Sequence, residues 1–254
     1  MASIINASTT STSGLVQTAD ASGVLQLQSN GVTGLTVGPG GLVTAANGIV
    51  MSPMTLGTSV AGEIEYDGSV PYFTPLGTQR GLIPSAQYFR LNSALVGANA
   101  STAQNVFGVG VTLSANTVYA FESYFVLVKT VGTTSHTFSY GFGGTATTNN
   151  ALITLSRYGS TSALPLVPTT GGSTVLQERN STAMTVSSGA QTSAVFTEVV
   201  TVSGTVSVAT GGTFAPQYQL SAAPGGAYST VAGSYFLIYP IGAAGANTSV
   251  GSWA

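Results

Sequence analysis

Along most of this chain, apolar and polar residues alternate at every second position, in short runs closed by Gly, Asn, Asp and Ser. A period of two marks a strand with one side turned inward, and the three-to-four spacing of an amphipathic helix hardly occurs. The pattern predicts an all-β protein. One stretch, "SALVGANASTAQNVFG", is a candidate for a short helix bounded by Gly97 and Gly108.

The strand pattern changes character along the chain. Residues 1–60 hold very short pieces, "GVLQLQSNG", "VTGLTVGPGG", "LVTAANG" and "IVMSPMTLG", separated by turn residues. Each carries too few apolar side chains to close a core of its own, so copies must stack or intertwine. A shaft-like or intertwined region built from several chains meets that need, and an ordinary sheet packed on the C-terminal part is the alternative. Residues 61–85 read as a hairpin neck. Residues 86–254 carry longer strands and read as a jelly-roll-like β-sandwich head.

Within the head, "NTVYAFESYFVLVKTVG" places Tyr119, Phe121, Phe125 and Leu127 on one face and Val118, Ala120, Tyr124, Val126 and Val128 on the other. Both faces are apolar, which predicts a central strand covered on two sides, with "SHTFSYGFGG" and "NALITLSRYG" as partners. "FTEVVTVSGTVSVATGGTFAPQYQLSAAPGG" reads as a hairpin turning at Thr210-Gly211-Gly212-Thr213, with Val200, Val202, Val206 and Val208 on one face. "GSYFLIYPIG" reads as a buried final strand from Tyr235 to Tyr239.

Charge changes the picture most. Of 254 residues only 5% are charged, while 43% are hydrophobic, against a usual charged share of about 25%. Ser, Thr, Asn and Gln supply most of the polarity, which suits subunit contacts where no charge need be desolvated. An oligomer whose subunits cover one another is expected. The five cations, Arg80, Arg90, Lys129, Arg157 and Arg179, are scattered and form no basic stripe, so nucleic acid is not an expected partner. No cysteine is present, which excludes a disulfide framework and a thiolate metal site.

The start "MASIINASTTSTSG" has neither a basic n-region nor an apolar h-region, so no secretory signal is expected there. The longest apolar run, from Val231 to Ala246, is too short for a membrane helix and contains Ser234 and Pro240. A membrane β-barrel is the harder alternative, and the missing signal argues against it. Membrane insertion is not expected.

Three of the seven acidic residues, Glu63, Glu65 and Asp67, fall within "AGEIEYDGSVPYFTP". On an extended chain they point one way, with Ile64 and Tyr66 pointing the other, and Asp67-Gly68 is a favoured hairpin dipeptide. The plain reading is a hairpin whose outer, charged face resists sticking to other edges, Val70 and Tyr72 covering Ile64 and Tyr66. The sharper alternatives are a calcium site and a glycosidase-like acid and base pair, since carboxylates at i and i+2 stand roughly 6–7 Å apart. Arg80 and Arg90, close by in sequence, could neutralise these acids in an electrostatic neck.

His136 is the one histidine, without a cysteine partner or a Gly-x-Ser-x-Gly serine, and reads as structural. It cannot supply the usual zinc ligand set alone. "GFGG" at 141–144 and "GPGG" at 38–41 lack the Lys-Ser/Thr of a phosphate loop and read as turns. Tyr158, Tyr218, Tyr228 and Trp253 could offer a sugar-stacking surface, but core or subunit contacts are the plainer reading. No catalytic residue, metal or cofactor is therefore assigned.

Three stretches carry a resemblance. "LVQTADASGVLQLQSNGVTGLTV" resembles the N-terminal pattern of tailed-bacteriophage virion proteins. "AGEIEYDGSVPYFTPLGTQRGLIPSAQYFRLNSALVGANASTAQNVFGVGVTLSANTVYAFE" resembles the neck and head start of phage fibre-like proteins, and "SAAPGGAYSTVAGSYFLIYPIG" is similar to their closing strand. The resemblance implies a homotrimeric, non-enzymatic structural protein on the virion surface, assembled in the host cytoplasm, of the tail-fibre, head-fibre or capsid-decoration type. Its partners would be copies of itself, other capsid or tail proteins and host surface glycans. The rival readings are a tailspike-like glycan hydrolase using Glu63, Glu65 or Asp67, and a bacterial surface adhesin.

Overall fold

The computed structural model describes residues 24–29, 32–38, 41, 43–46, 48–162, 164, 173–245, 247, 249–251 and 253. Residues 1–23, the start of the expected attachment region, lie outside the described residues. The chain falls into two units, Met1–Ser52 and Pro53–Ala254. The described residues form antiparallel sheets and no helix, as the period of two requires.

In the first unit, β1 (Leu25–Ser29), β2 (Val32–Val37) and β3 (Val43–Ala45) make a three-stranded meander. Its register sets Leu25 beside Val37 and Val43, and Leu27 beside Leu35 and Ala45. Between these two rows lies Gln26, Thr36 and Thr44. Because successive side chains alternate in direction, one face is Leu, Val and Ala and the other is Gln and Thr. No described residue from 24 to 52 is buried.

The second unit opens with a small sheet of β4 (Ile64–Tyr66), β5 (Pro71–Phe73) and β6 (Gly81–Leu82). Residues 53–60 are tied to it, the Met54 amide donating to the Tyr66 carbonyl at 2.9 Å. The strands that follow are β7 (Gln87–Arg90), β8 (Leu95–Val96), β9 (Gln104–Asn105), β10 (Val111–Leu113), β11 (Thr117–Lys129), β12 (Phe138–Gly143) and β13 (Thr147–Ser160). Then come β14 (Ser173–Arg179), β15 (Thr185–Val186), β16 (Phe196–Thr210), β17 (Gly212–Leu220), β18 (Ser229–Thr230) and β19 (Tyr235–Ala243).

The larger sheet runs β14-β13-β16-β11, after which β11 is met along its length by β18 and by β19, with β7 outside β19 and β8 outside β18. The smaller sheet runs β10-β17-β12-β15, with β9 also on β17. Side chains of both enter one apolar cluster: Phe121, Phe125, Leu155, Val200 and Val206 from the larger sheet, Phe138, Tyr140, Phe214 and Tyr218 from the smaller. Aromatic edges lock the two together, Phe121 meeting Phe142 with ring centres 5.1 Å apart and Phe214 at 6.2 Å.

Several expectations needed revision. The stretch expected as a short helix instead contributes β8 to β18 and β9 to β17. Gly97 leaves no long helical run there, and a Cβ at 97 would crowd Gln104 Oε1 at 2.7 Å, so long-range pairing prevails over local winding. β11 is central, but its neighbours are β16 and β19; β13 lies one strand further out and β12 belongs to the other sheet. Its odd face is buried throughout, whereas on its even face only Val126 is buried and Glu122 and Tyr124 are exposed. Coverage on two sides is therefore not found within one chain.

The expected hairpin at 210–213 is a corner between sheets. β16 pairs with β11 and β13, while β17 pairs with β9, β10 and β12. Val200, Val202, Val206 and Val208 do share the buried face. The crossing is tight: a Cβ on Gly212 would stand 2.5 Å from Thr145 Oγ1 and 2.7 Å from the Ala146 amide. Beside it, Gly144 has φ +120° and any Cβ there would collide with the Thr213 carbonyl, which the amides of Thr145 and Ala146 both hold at 3.0 Å. Gly144→Ala adds both backbone strain and a clash, and should lower stability by about 1–3 kcal/mol, read as a reduced urea midpoint with an unchanged slope.

Candidate functional site

The acidic hairpin is the natural place to begin. The register pairs Ile64 with Phe73, Glu65 with Tyr72, and Tyr66 with Pro71, so four residues, not two, make the connection. Asp67 explains the wider loop. Its Oδ1 accepts from the amides of Ser69 at 2.7 Å and Val70 at 2.8 Å, and its Oδ2 accepts from the Tyr72 hydroxyl at 2.7 Å. Burial works to raise the Asp67 carboxyl, and these donors outweigh it, so the group lies below the ordinary aspartate range. The same partnership, with burial as the larger cause, raises the Tyr72 hydroxyl.

The buried face of this hairpin is the opposite of the expected one. Glu65 is 1% exposed and lies with Val70, Tyr72 and Thr74 on the buried side, while Ile64 is 55% exposed. The charge is tolerated because Arg80 Nε meets Glu65 Oε2 at 2.6 Å, and the same guanidinium donates to the Gly57 carbonyl at 2.8 Å. Glu63 caps locally, its Oε2 accepting from the Val60 amide at 3.1 Å. Arg90 does not join this neck; it donates to Asn92 Oδ1 at 2.7 Å. The three acids thus each hold a different piece of backbone or side chain, and do not converge on a common point. Among the described residues no group of three or more His, Asp or Glu side chains is placed to hold a metal ion.

A second cluster lies inside the second unit and was not legible in the sequence. Arg157 on β13 and Glu198 on β16 are both fully buried on the core-facing side. The guanidinium grips the carboxylate at two points, Nε to Oε1 and NH2 to Oε2, the latter at 2.6 Å. Tyr140 donates to Glu198 Oε1 at 3.1 Å, and Arg157 NH1 donates to the Ser187 carbonyl at 3.2 Å. Burial pushes the Glu198 carboxyl up and the Arg157 and Tyr140 bonds draw it back. Burial opposes the charge on Arg157 too, but the carboxylate raises it above the ordinary arginine value. We take the pair as ionic at neutral pH, since a bidentate bond with its remaining valences filled is the geometry that offsets desolvation.

Close to it, Lys129 is 2% exposed and has no carboxylate partner among the described residues. Its Nζ donates to the Gly132 carbonyl at 3.0 Å and sits 5.4 Å over the Tyr228 ring. Burial lowers its affinity for a proton. His136 completes the group, with Nδ1 2.7 Å from the Thr134 carbonyl and Nε2 2.9 Å from the Tyr228 hydroxyl. A carbonyl only accepts, so Nδ1 carries the proton and Nε2 accepts from Tyr228. Burial, and then the nearby Lys129 charge, pull the histidine below its usual value, the Thr134 bond opposing them.

The tyrosines divide by face. Tyr218 and Tyr228 are buried in the core, Tyr158 is half-buried, and Trp253 is 79% exposed near the chain end. Three others that sequence reasoning did not single out as a group stand together on the outer face of the larger sheet. Tyr235 lies between Tyr88 at 5.6 Å and Tyr124 at 6.3 Å, with interplanar angles of 29° and 30°. The Tyr235 hydroxyl donates to Glu122 Oε1, and this bond raises the phenol above its ordinary value. The available signal was the alternation in "QYFR" and "SYFLIY", which puts Tyr88 and Tyr235 opposite the buried Phe236 and Ile238.

An apolar cavity of about 210 Å³ opens between the edge strands β7 and β10, lined by Phe89, Phe107, Val111, Phe236 and Ile238 among others, and no Asp, Glu, His, Lys or Arg lines it. Compared with known proteins, the chain matches no family model and no curated sequence significantly.

Two outcomes follow from these clusters. Glu198→Gln strands a buried guanidinium and should cost about 3–5 kcal/mol, with the double change Arg157→Met, Glu198→Leu recovering most of it, both measured by chemical denaturation. His136 binds its proton less readily folded than unfolded, so its contribution is present above the unfolded value of 6.5 and is lost as pH falls through the folded value. The melting temperature should therefore drop as pH is lowered below 6.5, and His136→Gln should flatten that part of the profile.

Proposed function

We propose that the protein is a non-enzymatic structural component of a bacteriophage virion surface, a fibre or capsid decoration, that works as a homotrimer. On this reading residues 1–60 form the interlocked, shaft-like attachment region, held to other capsid or tail proteins. Residues 61–85 form the hairpin neck, and residues 86–254 a jelly-roll-like head turned outward, bracing the shell or engaging host glycans.

The observation that carries the assembly is the first unit's sheet. Leu25, Leu27, Leu35, Val37, Val43 and Ala45 share one face, yet Leu25 is 45%, Leu27 44% and Val43 56% exposed. A three-stranded meander depends on burying its apolar face, and an exposed apolar face of this kind marks a contact surface. Copies of the same sheet, carrying no charged residue in their described strands, satisfy one another without desolvating an ion.

The non-enzymatic part is supported by the fate of the acids. Six of the seven lie among the described residues, and each is engaged in holding structure: Glu63, Glu65 and Asp67 in the neck, Glu122 by Tyr235, Glu178 by Thr154 at 2.9 Å, and Glu198 by Arg157. The resemblance of the neck and closing strand to phage fibre-like proteins supplies the virion setting.

Light scattering after size exclusion should give three times the chain mass of 25.4 kDa. Leu27→Asp combined with Val37→Asp should return the mass of one chain, because two charges would enter the shared face. A wild-type monomer at micromolar concentration would overturn the proposal.

A further inference from the structure

The outer face of the larger sheet carries a site of different character from the bare aliphatic face of the first unit. Residues of β19 alternate, with Phe236 and Ile238 in the core and Tyr235 and Leu237 outward; the register then places Arg90 beside Tyr235 and Tyr88 beside Leu237 on β7, and Tyr124 and Glu122 alongside on β11. Tyr88 is 58% exposed and Tyr124 38%. Tyr235, between them, braces both rings, and its own ring is fixed by the bond to Glu122. Beyond this row the face continues in hydroxyls, Thr201 and Ser203 of β16 and then Ser156 of β13.

We propose that this row is a glycan-binding site, in which the apolar face of a neutral pyranose stacks on the open ring of Tyr88 while Arg90 and Glu122 bond its hydroxyls. The assignment rests on the reading of the head as the outward-facing part of the protein. One feature selects a sugar over a second copy of the chain, and two more shape the ligand and favour its binding. Arg90 and Glu122 are both exposed, and stand on either side of the tyrosines as one cation and one anion. A protein surface laid flat across the row would strip water from both charges at a cost of several kcal/mol per ion, whereas a sugar offers hydroxyl donors and acceptors to each and leaves the rest wet. With their charges balanced, the pair favours a neutral ligand over an acidic one. Finally, stacked tyrosines lose little freedom on binding, since they have few rotatable bonds and are already held by each other.

The test uses the full-length protein with tyrosine rings labelled for NMR. It is titrated with neutral β-linked tetrasaccharides of glucose, galactose and N-acetylglucosamine, and screened on an array of neutral glycans. Saturable shifts confined to Tyr88, Tyr235 and Tyr124 are expected for at least one of them. Tyr88→Ala should weaken binding at least tenfold, with Tyr158→Ala, on the same face, serving as the control that leaves it unchanged. Silence of the Tyr88 ring throughout, or loss of the oligomer on Tyr88→Ala, would overturn the site, the second result showing that another copy covers the row. A trimer without sugar response removes this site and leaves the structural protein standing. A monomer that binds sugar through Tyr88 keeps the site and removes the proposed assembly.

Discussion

The second unit hangs on the register of three long strands. β16 lies between β11 and β13 and pairs with each over almost its whole length, from Phe196 opposite Lys129 to Val208 opposite Thr117 on one side, and from Thr197 opposite Ser160 to Thr210 opposite Thr147 on the other. A slip of one residue would turn Val200, Val202, Val206 and Val208 out to water and bring in Thr201, Ser203 and Thr205. The same slip would separate Arg157 from Glu198, because each lies on the inward face of its own strand. The ion pair therefore has a role beyond its own energy: a carboxylate buried at that depth is tolerable only in the one alignment that delivers a guanidinium to it.

The scarcity of charge gives each ionised group unusual weight. A chain with many surface ions can lose one without consequence, since exposed pairs contribute little. Here Glu65, Arg80, Lys129, Arg157 and Glu198 lie in or beside the interior, tied to carbonyls, hydroxyls or one another. Solvation of the outside falls instead to Ser, Thr, Asn and Gln, which can meet water or another protein surface without desolvating a charge.

Much of the fold was legible in the sequence because alternation is a local signal. The all-β class, the apolar odd face of β11 and the valine row of β16 follow from it; the closing strand does too, but it is buried on one face only, Tyr235, Leu237 and Tyr239 being half-exposed. Pairing partners were not legible. Thr210-Gly211-Gly212-Thr213 has the chemistry of a hairpin, but turn residues specify that the chain bends and not which sheet it joins afterwards. Asp67-Gly68 misled about loop length: the Ser69 and Val70 amides donate to the aspartate and widen the loop to four residues, a shift of two that leaves Glu65 on the face of Val70 and Tyr72, and no local signal says that this is the face the unit buries. The clasp between Arg157 and Glu198, and the tyrosine row spread over three strands, depend on contacts between residues far apart in the chain, which no periodicity records.

The placement of the five basic residues also bears on durability. Trypsin cuts only after lysine or arginine, and nicking concentrates in exposed loop tips. Lys129 and Arg157 are enclosed, Arg80 is clamped to Glu65, and Arg90 and Arg179 lie in strands paired to β19 and β13. A digestive protease of that specificity would find few accessible bonds in the folded second unit.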